Sequence, residues 1–223
     1  MVNGNSNQLQ SIVDYFFIEN VIKVDNSHPF VLSSGMKAPV YLDHRRAFTN
    51  PALRKQLVQA WAEKIEVKLT ELKIRPQNIV CAGTATAGIA PALALADYWN
   101  VPFVYVRQKP KDHGTQQLIE GAFDPLALHL VVDDMLTTGN SLLGAVNGLK
   151  KVNAKIACAT TVTSHCLSLA EAQLKEQSLP FVSLFNTPDI LEIAQGLGLI
   201  SQADLRTVTQ WLENLDLESM SAR

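Results

Sequence analysis

The sequence predicts an α/β domain with a largely parallel central sheet flanked by helices. Three observations predict it. Short apolar runs recur at 78–82 (NIVCA), 102–106 (PFVYV), 128–132 (LHLVV), 156–160 (IACAT) and 181–184 (FVSL). Helical stretches at 86–98, 141–151 and 167–177 lie between most of them. The runs themselves are apolar without clean alternation, as expected of strands covered by helices on both faces. A chain of 223 residues suits one such domain and can bury a sizeable core.

The elements follow in order. Near the N-terminus, LQSIVDYFFIEN has helical spacing of apolar groups. Phe30 to Asp43 mixes short apolar stretches with SSG and AP, and reads as strands of a small extension joined by a turn. Asn50 followed by Pro51 is a helix cap and first position, and that helix should run to about Leu72. Pro76 opens the next connection. Residues 107–127 are polar, basic and glycine-containing, with no convincing helix. A long loop inside a compact domain is more often functional than idle. In the tail, Thr187-Pro188 caps one helix, and Ser201 with Asp204 resembles a capping box that starts another. The expected organisation is a single domain, 1–223, with an N-terminal helix and hood segment over 1–48. The core α/β sheet is expected over 76–185 and C-terminal helices over 186–215.

Composition excludes some functions. Apolar residues make up 47 % and charged ones 18 %, which is ordinary globular usage rather than disorder. A formal net charge of -2 argues against bulk binding to nucleic acid or an anionic membrane. The apolar runs are too short to span a bilayer, and MVNGNSNQLQ lacks the basic-then-apolar order of a secretory signal. Cys81, Cys158 and Cys166 have no paired spacing and read as buried thiols of a reducing compartment, so a cytoplasmic protein is expected.

The chemistry concentrates in LHLVVDDMLTTGNS, residues 128–141. Asp133 and Asp134 end an apolar run that reads as a buried strand, the place where ligands bind in open α/β sheets. Thr137, Thr138, Gly139, Asn140 and Ser141 then lead into a helix. Small residues before a helix N-terminus make a phosphate cradle, because successive N–H groups converge and the helix end adds positive potential. Carboxylates beside a phosphate site either hold Mg²⁺ or bind neutral hydroxyls such as those of a ribose. A phosphorylated sugar with vicinal hydroxyls satisfies both features. The plainer alternative is an aspartate topping a strand and a residue capping a helix. The Walker lysine and the GxGxxG fingerprint are both missing.

Two further stretches bear on this. CAGTATAG, residues 81–88, follows a strand and precedes a helix. Its Gly83 and Gly88 serve either close backbone approach to an anion or tight helix–sheet packing. VRQKPKDHGTQQLIEG, residues 106–121, crowds Arg107, Lys109, Lys111 and His113 together, as a solvated basic loop or as a lid laying positive charge over a polyphosphate.

Together these stretches resemble the type I phosphoribosyltransferases, and within them the orotate phosphoribosyltransferases. VVDDMLTTGNS matches the superfamily's diphosphate-sugar signature. KDHG at 111–114 is similar to the flexible catalytic loop, and FVLSSGMKAPVYLDHRR at 30–46 to the family's N-terminal segment. GTATAG, IEG and the tail VSLFNTPDILEIAQGLGLISQADL also fit. The resemblance implies a type I phosphoribosyltransferase-like fold with a small N-terminal hood and a flexible catalytic loop.

It also implies roles. The donor is 5-phospho-α-D-ribose 1-diphosphate, with its 5-phosphate on Thr137 to Ser141 and its ribose hydroxyls facing Asp133 and Asp134. Thr84, Ala85, Thr86, Ala87 and Gly88 lie by the diphosphate. Ser34, Gly35 and Lys37 shape the base end. Arg107, Lys111 and His113 close over the diphosphate on a loop that reaches across a homodimer interface, and Lys109 is substrate-binding. Mg²⁺ is held mainly by diphosphate and ribose oxygens, with no firm protein ligand. The implied reaction is displacement of diphosphate by N1 of orotate, giving orotidine 5′-phosphate for UMP synthesis. Another base such as a purine, or a regulator that binds the donor without turnover, are the alternatives.

Three departures from the family's pattern stand out. Some members carry lysine where this chain has Ser33, Ala87 and Gln108, which places more of the diphosphate grip on Arg107, Lys109 and Lys111. Thr115, Gln116 and Gln117 follow KDHG where many relatives have glycine or acidic residues. ACATTVTSHC at 157–166 lacks the arginine that in some members meets the orotate carboxylate.

Overall fold

The structure, a computed structural model, describes residues 3–32, 35–108 and 118–221. Ser34, Lys109, Lys111 and His113, together with Ser33 and the rest of KDHG, lie outside the described residues.

Six strands form the central sheet. They are β5 (Ile79–Thr84), β6 (Phe103–Val106), β7 (Ile119–Glu120), β8 (Leu128–Leu136), β9 (Lys155–Ser164) and β10 (Phe181–Asn186), in the order β10-β9-β8-β5-β6-β7. Every pairing is parallel except that of β7 with β6. All five predicted apolar runs are therefore strands of one sheet. Because strand side chains alternate, β5 sends Ile79 and Cys81 to one layer and Val80 and Ala82 to the other. The first layer holds α1 (Asn3–Ile18), α3 (Pro51–Glu71), α4 (Ile89–Trp99), α7 (Thr187–Gly196) and α8 (Gln202–Ser221). The second holds α5 (Asn140–Lys151) and α6 (Ser168–Glu176). A strand buried on both sides has no polar face to alternate with, which is why periodicity was absent from these runs.

Helix α3 starts where the sequence places it. Asn50 Oδ1 accepts from the amides of Ala52 and Leu53 at 2.9 and 3.1 Å, with Pro51 in the first turn. Its buried face includes Leu53, Leu57, Trp61, Ile65 and Leu69. Trp61 is fully buried, and its indole Nε1 donates to Thr160 Oγ1 at 2.8 Å, crossing from helix to sheet. The Ser201–Asp204 capping box is present, with Ser201 N donating to Asp204 Oδ2 at 2.9 Å and Asp204 N to Ser201 Oγ at 3.1 Å. The cap expected at Thr187 is not. Asn186 takes the cap position of α7, and the Thr187 hydroxyl is drawn to His165 Nδ1 at 2.8 Å instead.

The extension forms as short strands. β1 (Ile22–Val24) pairs antiparallel with β4 (Val40–Leu42), and β2 (Phe30–Val31) with β3 (Lys37–Ala38). Gly35, at φ +83°, turns the second pair, a backbone state that glycine reaches without strain. Helix α2 (His44–Thr49) follows β4 and packs beside β8. Cys81 and Cys158 are buried on β5 and β9 and Cys166 is half-buried, all as free thiols. Among the described residues no helix is long and apolar enough to cross a membrane.

Candidate active site

Parallel strands end together, and register decides what meets there. Thr84 pairs with Val106, and Gly83 with Val132. Ala85 and Arg107 therefore emerge side by side at the carboxyl edge of β5 and β6, and Asp133 on β8 lies level with Thr84.

The acid pair does not end its strand. β8 runs on through Leu136, paired only with β9, so that Asp133 lies opposite Thr161 and Met135 opposite Thr163. β5 has by then turned away into residues 85–88. The strand continues because β9 offers a matching edge, and the carboxylates stand where the β5 edge has opened. Asp133 is 3 % exposed and Asp134 half-buried. Besides burial, each carboxyl senses the other: the charge of Asp134 raises Asp133, and a hydrogen bond with the Asp133 side chain lowers Asp134. Asp133 looks toward the hydroxyls of Thr84 and Ser141, and Asp134 toward Arg45. Burial, then the charge of Asp134, pushes the Asp133 carboxyl up to about 7. Burial also raises Asp134, opposed by hydrogen bonds and Arg45. The Thr84 hydroxyl favours the Asp133 carboxylate by proximity but completes no hydrogen bond of its own among the described residues.

After β8, Thr137 and Thr138 are half-buried and Gly139, at φ +88°, takes the cap position of α5. No side chain caps that helix end. The amides of its first turn, including Asn140 and Ser141, are thus left for a ligand or water. Gln108 Nε2 donates to Ser141 Oγ at 2.8 Å.

On the β5 side, Ala85 and Thr86 are joined by a cis peptide bond and Ala87 is half-buried. Gly88 is tightly packed. A Cβ there would sit 2.4 Å from both Thr84 Oγ1 and the Val132 carbonyl. Gly83 likewise faces the Gly88 carbonyl, at 2.7 Å from a built Cβ. Ala85, Thr86, Tyr105, Arg107 and Gln108 line a cavity of about 420 Å³. Arg107 N donates to the Leu118 carbonyl at 2.7 Å, and its guanidinium lies 3.9 Å from Glu120. Lys37 is exposed on β3 and lines a separate groove of about 580 Å³ with Arg206 and Trp211, whose indole donates to the Lys37 carbonyl at 3.1 Å.

Sequence reasoning passed over Arg45. Its Nε donates to Asp43 Oδ1 at 2.6 Å, which holds the Asp43 carboxyl below its usual range, and its charge faces Tyr41 and Asp134. It stands in the VYLDHRR segment quoted above, but nothing there reveals that Asp134 is its neighbour. Two buried histidines were also unread. His44 Nε2 meets Thr163 Oγ1 at 2.8 Å, and burial depresses both His44 and His165 to about 4. The β9 end, where an arginine was missing, is filled by buried Thr161, Thr163, Ser164 and His165.

This site sits in a recognisable frame. A family profile for the phosphoribosyl transferase domain matches residues 48–201. The orotate phosphoribosyltransferase of Lactococcus lactis subsp. cremoris is 33 % identical over 193 residues, covering 86 % of this chain and 90 % of the relative. The chain belongs to the orotate phosphoribosyltransferase family. Solved structures agree on the fold of this phosphoribosyltransferase. Leishmania donovani UMP synthase matches with TM-score 0.74 at 20 % identity, over 92 % of this chain and 42 % of that longer one. The orotate phosphoribosyltransferase of Aeropyrum pernix matches with TM-score 0.65 at 24 % identity, over 81 % and 97 % of the two chains.

Proposed function

We infer that this enzyme transfers the 5-phosphoribosyl group from 5-phospho-α-D-ribose 1-diphosphate to N1 of orotate, releasing diphosphate. One observation carries the reading within the family: a buried acid pair on β8 passes directly into an uncapped helix N-terminus at Thr137 to Ser141. The first turn of α5, with Thr137, Thr138 and Ser141, receives the 5-phosphate. Asp133 and Asp134 accept from the ribose hydroxyls and stabilise positive charge developing on the ring. Thr84 to Gly88 and Arg107 border the diphosphate, and Lys109, Lys111 and His113 complete its surroundings. Ser34, Gly35 and Lys37 belong to the base end.

Mg²⁺ fits this donor set only as a shared ion. Among the described residues no three carboxylate, histidine or cysteine groups converge, so the acid pair supplies at most part of a shell completed by substrate and water. Bound there, the ion would neutralise charge on the leaving diphosphate. Orotate is already anionic, and its N1 proton leaves to water or to the departing diphosphate as the N1–C1 bond forms, so no strong general base is required. The same reading makes the enzyme a homodimer whose basic loops serve neighbouring sites.

The test follows orotate absorbance after adding donor and Mg²⁺, with adenine, hypoxanthine and uracil in parallel. Orotate-specific loss is the expected result. Consumption of another base instead would move the protein to a sister activity. Donor binding without turnover of any base would make it a regulator.

A further inference from the structure

Gln108 and Ser141 lie 33 positions apart, at the end of β6 and in the first turn of α5, and their side chains are joined at 2.8 Å. The direction of this bond matters. The amide N–H of Gln108 occupies a lone pair on Ser141 Oγ, so the hydroxyl proton must point elsewhere. Gln108 thereby fills one of the two lone pairs on Ser141 Oγ and turns its O–H away from β6, toward the cradle. On that far side lie the open end of α5 and the Asp133 carboxyl, which this hydroxyl favours in its charged form. A phosphate monoester presents only acceptors when fully ionised, and it needs hydroxyls oriented in that sense. Reorienting a free rotor on binding would cost entropy that a pre-set donor has already lost.

Resting on the phosphoribosyl reading of the cradle, we propose that Gln108 is a positioning residue for the donor's 5-phosphate, acting through the hydroxyl of Ser141. It touches no reacting atom. It also lines the cavity that holds Ala85, Thr86 and Arg107, so one side chain spans the diphosphate side and the monoester side of the site. Where this family position is a lysine, the cation adds a charge but makes no amide bridge. Here the chain uses a neutral donor to set the orientation of a hydroxyl.

The experiment is calorimetric titration of ribose 5-phosphate, and separately of inorganic diphosphate, into the full-length wild type, Gln108→Ala, Gln108→Glu, Ser141→Ala and the Gln108→Ala/Ser141→Ala double variant. Gln108→Ala should weaken ribose 5-phosphate about five-fold, the scale of one hydrogen bond, and leave diphosphate unchanged. Gln108→Glu, which has no proton to donate at neutral pH, should lose at least as much. In the Ser141→Ala background the Gln108 change should cost nothing further. Unchanged ribose 5-phosphate affinity, an equal loss for diphosphate, or additive losses in the double variant would overturn the proposal. Wild type that binds ribose 5-phosphate yet converts no orotate would sink the base assignment alone. Wild type that binds no ribose 5-phosphate would sink both.

Discussion

The backbone amide of Asp134 donates to the Oδ1 of Asp133 at 3.0 Å, so the second member of the acid pair partly steadies the first. One such bond does not offset burial, and Asp133 remains raised to about 7. The unfolded carboxyl loses its proton near its ordinary 3.8, whereas the folded one keeps it until near 7. The native state then binds more protons through this window, so Asp133 lowers stability as pH rises across it, and the full cost is present above 7.

Asp133→Asn should therefore stabilise the unliganded protein at pH 8 by at least ~1 kcal/mol while removing transferase activity. The gain should fade as pH approaches 4. Urea denaturation of both proteins at several pH values checks this. A variant that is less stable than wild type at pH 8 would count against the buried, strained carboxylate.

The charge of Arg45 opposes the rise of Asp134. Arg45→Gln should move the acidic limb of the kcat/KM profile for the donor to higher pH and lower kcat/KM by about five-fold at neutrality, since an exposed charge acts modestly. Arg45→Lys should restore most of the loss. A profile that does not move in Arg45→Gln would leave the residue with only a local tie to Asp43.

Gly88→Ala places a methyl 2.4 Å from Thr84 Oγ1 and from the Val132 backbone carbonyl. The carbonyl is part of the sheet and cannot step aside. The expected cost is roughly 2 kcal/mol or more, with loss of activity from distortion at Thr84. Denaturant midpoints at unchanged m-value give the reading.

His44 and His165 are neutral in the fold, depressed to about 4 from 6.5 by burial. Below 6.5 the unfolded chain takes protons that the folded one refuses, so they remove stability as pH falls from 6.5 to 4. This slope is opposite to that of Asp133. His165→Asn should flatten the decline over that interval, whatever its effect at pH 7.5. An unchanged slope in the variant would show that His165 titrates normally.

Thr160 links Trp61 to β10, accepting from the indole and donating to the Val182 carbonyl at 2.7 Å. Thr160→Val keeps the shape and strands both partners in the core. A loss of roughly 1–3 kcal/mol is expected, with kcat unchanged.

The sheet was legible because its strands are buried on both faces and flanked by turn residues. The length of β8 was not. Charge at Asp133 reads as a strand end, and only the pairing of Asp133 with Thr161 and Met135 with Thr163 carries the strand onward. The phosphate loop was readable from local chemistry, since small residues, a glycine and a helix start are contiguous there. Gly83 and Gly88 were read two ways, and the close packing found at both was not legible, because it comes from backbone and side chains that only the fold brings near. The bonds Gln108–Ser141 and His44–Thr163 join residues 33 and 119 positions apart, and such contacts leave no periodic trace in a single sequence. The two-residue strands of the hood are too short for any alternation to be measured.

Residues 128–132 of β8 are clamped between β5 and β9, with a packed layer against each face, whereas the acid pair just beyond them is held by β9 alone. In hydrogen-exchange terms the doubly paired amides belong to the last part of the molecule to open. The carboxylates thus stand at the rim of the segment with the fewest routes to local fraying. Heating or denaturant should free their open edge before the doubly paired residues behind it.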